Sequence, residues 1–374
     1  MQYYLTLTSE CNLRCKYCYE KCCNDFGVDL GPLDIDYSVS SSVKYDIVDL
    51  ERFLAKDPEP SVVFYGGEPL LRIDLLNGII RTIPVKKFIL QTNGILLPRL
   101  DSEYVNKLDT ILVSVDGDRD LTDYYRGKGV YEQVTQNLRQ LRNRGFAGEI
   151  VARMTVGRET RIDRAVRSLI FNEDLFDSVH WQLDALFWHN DYDKEEFSEW
   201  VKTSYNPGVR ALIDLWVRHM RTRGEVLRIY PFVGIMRSLL LSEPSKLRCG
   251  AGWTMFNVQT DGNITPCPVM AGMKDFYIGN IEHTDPSDLV SRAVFVSEPC
   301  SGCAIYSLCG GRCLYANVTK LWGEEGFSLV CSTVENLVDA LKLVFPVIQD
   351  LMSQGTVLLQ DFDYPRYNSC EIIP

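Results

Sequence analysis

No stretch of this 374-residue chain approaches the run of about 20 apolar side chains that a membrane span needs. The N-terminus lacks a signal-peptide pattern as well, because Met1-Gln2-Tyr3-Tyr4 meets polar residues by Thr6. Positive charge is short: 39 Lys and Arg stand against 50 Asp and Glu, a net charge of −11 that would be repelled by a phosphate backbone or an anionic membrane. A soluble, cytoplasmic protein with no nucleic-acid and no membrane partner is therefore expected. Repeats and low-complexity segments are missing, and residues 24 to 248 contain no cysteine. The near-average composition, 46% apolar and 24% charged, excludes disorder, collagen and coiled coil, while the length allows two or three domains.

That gap gives the 13 cysteines their meaning, since five fall in the first 23 residues, seven between 249 and 331, and one at 370. A disulfide framework would be spread more evenly, the count is odd, and a reducing cytosol keeps thiols free. Clustered thiolates of this kind favour zinc or iron–sulfur clusters.

Short β-branched or aromatic runs recur at Tyr3 to Thr8, Ser61 to Tyr65, Lys87 to Thr92, Thr110 to Val115, Glu149 to Val156 and Val179 to Leu183. Helical patterns lie between them, near Asp46 to Ala55, Leu70 to Thr82, Ser102 to Leu108, Tyr131 to Arg144 and Arg161 to Phe171. This alternation predicts an α/β fold, either a partial (β/α)6 barrel of the TIM type or an open doubly wound sheet. Further on, Val209, Leu212, Ile213, Trp216 and Met220 recur at helical spacing and read as a core stripe. From Cys249 the text changes to short loops rich in Gly, Pro and Cys, which sets a boundary near 240–248. The expected organisation is a barrel over 1–240, a Cys-rich domain over 241–340, and a C-terminal helix and tail over 341–374.

The first chemical signal is Cys11-Asn-Leu-Arg-Cys15-Lys-Tyr-Cys18, directly after the first strand. Three thiolates at this spacing can ligate three irons of a [4Fe–4S] cube and leave the fourth iron bare. A structural zinc would want a fourth ligand, such as Cys22 or Cys23. With the aromatic Tyr17 before its last cysteine, the motif resembles the signature of the radical S-adenosylmethionine (SAM) superfamily. The resemblance implies that SAM chelates the bare iron through its amino and carboxylate groups and is cleaved reductively to a 5′-deoxyadenosyl radical.

Other polar motifs fall at the ends of expected strands, where a parallel barrel places its active site. Gly66-Gly67-Glu68-Pro69 follows the second strand and resembles the family's methionine-binding motif, with Glu68 as an acceptor for the SAM ammonium. Gln91-Thr92-Asn93-Gly94 and Ser114-Val115-Asp116-Gly117 follow the third and fourth, and resemble its polar SAM contacts through Asn93, Ser114 and Asp116. Arg153, inside an apolar strand, resembles the basic residue near the SAM carboxylate; a structural ion pair is the alternative. Arg126 matches a second family arginine, and Gln182 and Leu183 lie where the family holds adenine. Asp118, Asp123, Tyr124 and Asp184 also lie near strand ends, as caps, turns, core residues or substrate contacts.

The second signal is the C-terminal array: Cys249 and Cys267, then Cys300, Cys303, Cys309 and Cys313, then Cys331. CxxC pairs by themselves could form a zinc ribbon. The spacing resembles, cysteine for cysteine, the SPASM domain of peptide-modifying radical SAM enzymes. That resemblance assigns Cys300, Cys303, Cys309 and Cys331 to one auxiliary [4Fe–4S] cluster, and Cys249, Cys267 and Cys313 to a second. Three clusters and SAM are thus the implied cofactors. The fourth ligand of the second auxiliary cluster is a distant thiol, a non-cysteine group or absent, and an iron left open is the expectation; Cys22, Cys23 and Cys370 are otherwise inert thiols, a missing ligand or a hydrogen donor.

The implied activity is hydrogen abstraction from a residue of a peptide or small protein, ending in a crosslink, dehydrogenation or epimerisation. An enzyme of peptide-derived redox-cofactor synthesis and a non-catalytic Fe–S or zinc scaffold are the alternatives. Flavodoxin or ferredoxin would supply electrons. Family maturases of sulfatase type often carry an aspartate base directly after the second SPASM cysteine, where this chain has Pro268. The sequence also starts at the first strand without the leader-binding winged helix of many relatives, so recognition is expected through the barrel and SPASM surfaces or a separate leader-binding protein.

Overall fold

The computed structural model describes residues 1–18, 33–172, 175–184, 193–320 and 322–365; Cys22, Cys23 and Cys370 lie outside them. The strands are β1 (Gln2–Thr8), β2 (Ser61–Gly66), β3 (Lys87–Thr92), β4 (Thr110–Ser114), β5 (Glu149–Val156), β6 (Ser178–Leu183), β7 (Met255–Val258), β8 (Asn263–Thr265) and β9 (Gly279–Asn280). Two compact units emerge. Unit 1 comprises Met1–Ser114, Thr122–Val151 and Gly250–Phe295; unit 2 comprises Val115–Leu121, Ala152–Cys249 and the chain from Val296 on. One divide falls at Cys249/Gly250, beside the boundary read from composition, but the segment after it belongs with the N-terminal strands.

In unit 1 the strand order is β4-β3-β2-β1-β7-β8-β9. The first four are parallel, joined by crossover helices Ile47–Leu54 and Ile73–Thr82 and by a short turn of helix at Ser102–Val105. All seven residues of β1 are buried, as a central parallel strand covered on both faces requires. Its other edge pairs in parallel with β7, Gln2 opposite Met255 and Leu5 opposite Val258, and β8 and β9 follow antiparallel. The sequence reading did not foresee this extension, because these strands have four, three and two residues, too few for a period-2 signal.

Unit 2 holds β5 from Ala152 onward and its neighbour β6, with the helix Ile162–Ile170 between them. Its core is aromatic: Trp181 and Trp216 each pack edge-on to Phe232 at 5.7 Å, and Trp216 also meets Phe362. Both indole N–H groups are satisfied, Trp181 donating to Tyr205 Oη and Trp216 to the Leu227 carbonyl. The stripe Val209, Leu212, Ile213, Trp216 and Met220 is buried on the helix Asn206–Arg223. That helix is tied to Gly323–Ser353 by an Arg210 to Asn336 hydrogen bond of 2.7 Å. The latter helix has 31 residues, carries Cys331, and crosses the divide expected at residue 340. Among the described residues no helix is long and apolar enough to cross a membrane.

Candidate active site

The cysteine loop leaves β1 at Thr8, at the C-terminal ends of the parallel strands. Thr8 Oγ1 accepts from the Glu10 N–H at 3.1 Å and donates to the Ser41 carbonyl, fixing the exit from the strand. The turn after β2 packs directly against this exit: Gly67 N–H donates to the Thr8 carbonyl at 2.8 Å and Glu68 N–H to the Glu10 carbonyl at 2.9 Å. Such closeness explains both glycines. A Cβ at Gly66, whose φ is +139°, would sit 2.1 Å from the Thr8 carbonyl oxygen, and one at Gly67 would sit 2.3 Å from that of Glu10.

Glu68 is fully buried and serves as a junction. Its Oε1 accepts from Leu70 N–H (3.0 Å) and Thr92 Oγ1 (2.8 Å), its Oε2 from Asn93 N–H (2.8 Å). Burial pushes its carboxyl up to about 7 against the pull of these three donors. The same bond to Leu70, with Pro69 at the first position, makes Pro69–Arg72 a separate 3-10 turn ahead of Ile73–Thr82, where the sequence predicts one helix from Leu70. In Glu68→Gln a side-chain NH2 must face a donor. The expected result is a loss of about 1–3 kcal/mol in stability by urea unfolding; an unchanged midpoint would show that the junction contributes nothing.

From this junction the order passes to the cysteine loop through Asn93. Its amide oxygen accepts from Ile95 N–H, and its Nδ2 donates to Asn12 Oδ1 at 2.8 Å and approaches Cys11 Sγ at 3.7 Å. Leu13 N–H also donates to Cys11 Sγ, at 3.4 Å. Burial, together with the negative charge of Glu68, Cys15 and Cys18, pushes the Cys11 thiol up to about 11, opposed by the Leu13 N–H. Across the loop, the last turns of the helix Arg119–Arg126 hold its other end: Tyr125 accepts from Lys16 N–H, and its ring lies 5.1 Å from that of Tyr17. Arg126 is buried with its guanidinium over the Tyr17 ring, and Lys16 Nζ lies 3.1 Å from the centre of the Tyr124 ring. This helix escaped the sequence reading because only Thr122, Tyr125 and Arg126 are buried, which makes no apolar stripe. Asp123 is a turn acceptor for Gly129 and Tyr131 N–H, and Asp118 accepts from Leu121 N–H.

In unit 2, Asp116 is fully buried and accepts from Thr155 N–H at 3.1 Å. Arg153 donates to Gln182 Oε1 at 2.9 Å and lies 3.4 Å from His180 Nδ1, so two of the residues assigned to SAM by resemblance contact each other. His180, fully buried on β6, was not singled out in the sequence. Leu183 is buried and Asp184 donates its N–H to the Val156 carbonyl. Ser114 ends β4 in unit 1, half-buried.

Farther along unit 2, Cys300, Cys303, Cys309, Cys313 and Cys331 line one cavity, with Arg312 and Glu335 in the same wall. Burial raises the thiols of Cys300 and Cys309 and pushes Cys331 up to about 12. Yet among the described residues no three His, Cys, Asp or Glu side chains close on a point that would hold a single metal ion. Four or more thiols lining one cavity are the donor set that a [4Fe–4S] cube takes. Cys249 belongs to unit 2 as well, whereas Cys267 belongs to unit 1.

The family model of the radical SAM superfamily matches residues 5–169, the span of the cysteine loop, the Gly66-Gly67-Glu68-Pro69 turn and the first five strands. Residues 5–169 are thus the radical SAM-like part of the chain. A cysteine-type anaerobic sulfatase-maturating enzyme of Clostridium perfringens is 24% identical over 89% of the chain and 93% of the relative. Pre-heme d1 synthase of Dinoroseobacter shibae is 31% identical over 37% of the chain and 33% of the relative. Among solved structures, anSMEcpe with bound AdoMet has a TM-score of 0.70 at 17% identity, covering 96% and 99% of the two chains. SuiB of Streptococcus suis bound to its precursor peptide SuiA has a TM-score of 0.54 at 18% identity, covering 85% and 72%. These likenesses bear out the α/β fold expected from the strand and helix pattern and the radical SAM core implied by the cysteine-motif resemblance.

Proposed function

We propose that this radical SAM enzyme is a peptide maturase of the SPASM type. One observation carries the reading: the domain that pins a cysteine triplet at the end of β1 shares its chain with a cavity lined by all four thiols that the SPASM pattern assigns to one auxiliary cluster, with Cys313 of the other beside them. Cys11, Cys15 and Cys18 would hold the catalytic cluster, and Cys300, Cys303, Cys309 and Cys331 an auxiliary one. When bound, the catalytic cluster and SAM supply a 5′-deoxyadenosyl radical able to abstract hydrogen. The chain's own part is positional: Asn93 and Leu13 steady Cys11, Tyr125 and Arg126 steady the loop at Lys16 and Tyr17, and the glycine turn closes against Thr8 and Glu10, where the loop begins.

Coverage favours a peptide over a small-molecule substrate. The sulfatase-maturating relative aligns along nearly all of both chains, whereas pre-heme d1 synthase and a GTP 3′,8-cyclase align over 37% and 36% of this one. Pro268, buried at the head of a short 3-10 turn, offers no carboxylate base, which favours a modification other than that of the sulfatase maturases. A flavodoxin- or ferredoxin-like protein would deliver the electron.

The test is anaerobic incubation with SAM, dithionite and short peptides encoded beside the gene, followed by mass spectrometry. Formation of 5′-deoxyadenosine that rises with one peptide, and a changed mass or stereochemistry in that peptide, is the expected result. Peptide-independent turnover with a small-molecule product would overturn the reading. Reconstitution should load about twelve irons per chain in three four-iron clusters. Fewer than about six, with stoichiometric zinc, would remove the SPASM part.

A further inference from the structure

The segment Cys309-Gly310-Gly311-Arg312-Cys313 runs through three successive left-handed residues, with φ of +71°, +90° and +51°. Gly310 and Gly311 have steric reasons, because a Cβ would lie 2.6 Å from Leu247 N and 2.7 Å from Val296 Cγ1. Arg312 has no such reason, and an arginine there costs of order 1–3 kcal/mol in backbone strain. Something must hold it. Its side chain lines the same cavity as the five thiols, where it is the single cationic residue of the wall among the described residues. Its Nε is buried with no acceptor within reach. Its charge lowers the thiols of Cys309 and Cys331, which burial otherwise raises, while Glu335 in the same wall acts in the opposite sense on Cys331.

An orphaned cationic donor facing a ring of thiols is what an anionic guest would satisfy, and a cube bound by four thiolates is anionic in both of its common oxidation states. We propose that Arg312 is the counter-charge of the cluster held by Cys300, Cys303, Cys309 and Cys331, a positioning residue that donates to the cluster's sulfur and sets its reduction potential. The inference rests on the SPASM reading above. Reduction adds one electron and no proton, so the reduced cluster is the more negative and gains more from the guanidinium. Net charge and hydrogen bonds to sulfur are two of the levers that tune such potentials. Arg312 therefore makes the cluster easier to reduce.

The experiment uses the full-length chain reconstituted anaerobically with Cys11, Cys15 and Cys18 replaced by Ala, titrated with dithionite and read by electron paramagnetic resonance. The relevant signal is the one that Cys331→Ala removes. Arg312→Gln should keep its iron and lower the reduced-to-oxidised ratio at fixed potential about tenfold, ~59 mV for a one-electron couple. Arg312→Gly removes the charge while relieving the backbone, so it should fold at least as well and shift by a similar amount, whereas Arg312→Lys should stay near the parent. Normal iron with an unshifted potential in Arg312→Gly, or a shift in Arg312→Lys as large as in Arg312→Gly, overturns the inference and leaves the cluster in place. If no iron depends on Cys331, the SPASM reading fails and the inference with it.

Discussion

Replacing Cys11, Cys15 and Cys18 together by Ala should abolish 5′-deoxyadenosine formation and remove about a third of the iron, because in the proposed arrangement only this cluster touches SAM. The two effects are expected to differ in extent for a physical reason. The triplet lies in unit 1 on a loop after β1, while Cys300, Cys303, Cys309 and Cys331 line a cavity in unit 2 that none of these substitutions alters. Iron by colorimetric assay and 5′-deoxyadenosine by liquid chromatography read the two outcomes separately. Residual SAM cleavage in the triple variant would falsify the role given to the loop; loss of all iron would show that the sites do not load independently.

Gly66→Ala should be nearly as damaging although it removes no chemical group. The added methyl would meet the Thr8 carbonyl oxygen at 2.1 Å, a backbone atom that cannot rotate away, at a φ of +139° that alanine rarely adopts. Either β1 shifts, and the cysteine loop with it, or the turn after β2 opens and breaks the bonds from Gly67 and Glu68 to Thr8 and Glu10. A cost above about 3 kcal/mol is expected from combined steric and dihedral strain. Urea unfolding of the apo chain measures it, and iron content after reconstitution tests whether the loop has lost its place. A variant with wild-type midpoint and full iron would mean that the close approach is dispensable.

How far the sequence was legible depends on the range of the interaction. The first six strands and the longer crossover helices stand close to where periodicity puts them, since a strand such as Lys87–Thr92 buries a continuous apolar run that shows in the local text. The helix Arg119–Arg126 did not show, because its task is to grip Tyr17 and Lys16 rather than to fill the core. β7 to β9 were invisible for a different reason: they are short, and β7 owes its place to pairing with β1, about 250 residues away. At the candidate site, spacing was enough to mark the cysteines as one system. The bonds from Glu68 to Thr92 and Asn93, and from Asn93 to Asn12 and Cys11, join three strand ends that no local pattern connects. Arg312 could have been noticed as a charged residue between two glycines and a cysteine, but its orphaned Nε belongs to the folded molecule alone.

Cys331 sits in the third turn of the helix Gly323–Ser353, whose later residues Leu337, Leu341 and Ile348 are buried. A guest bound through that thiol would be tied to the first third of a helix whose remainder is packed in the core, so its loss would be felt along the backbone. Emptying that cavity would then be felt as faster amide exchange in the helical turns around Cys331.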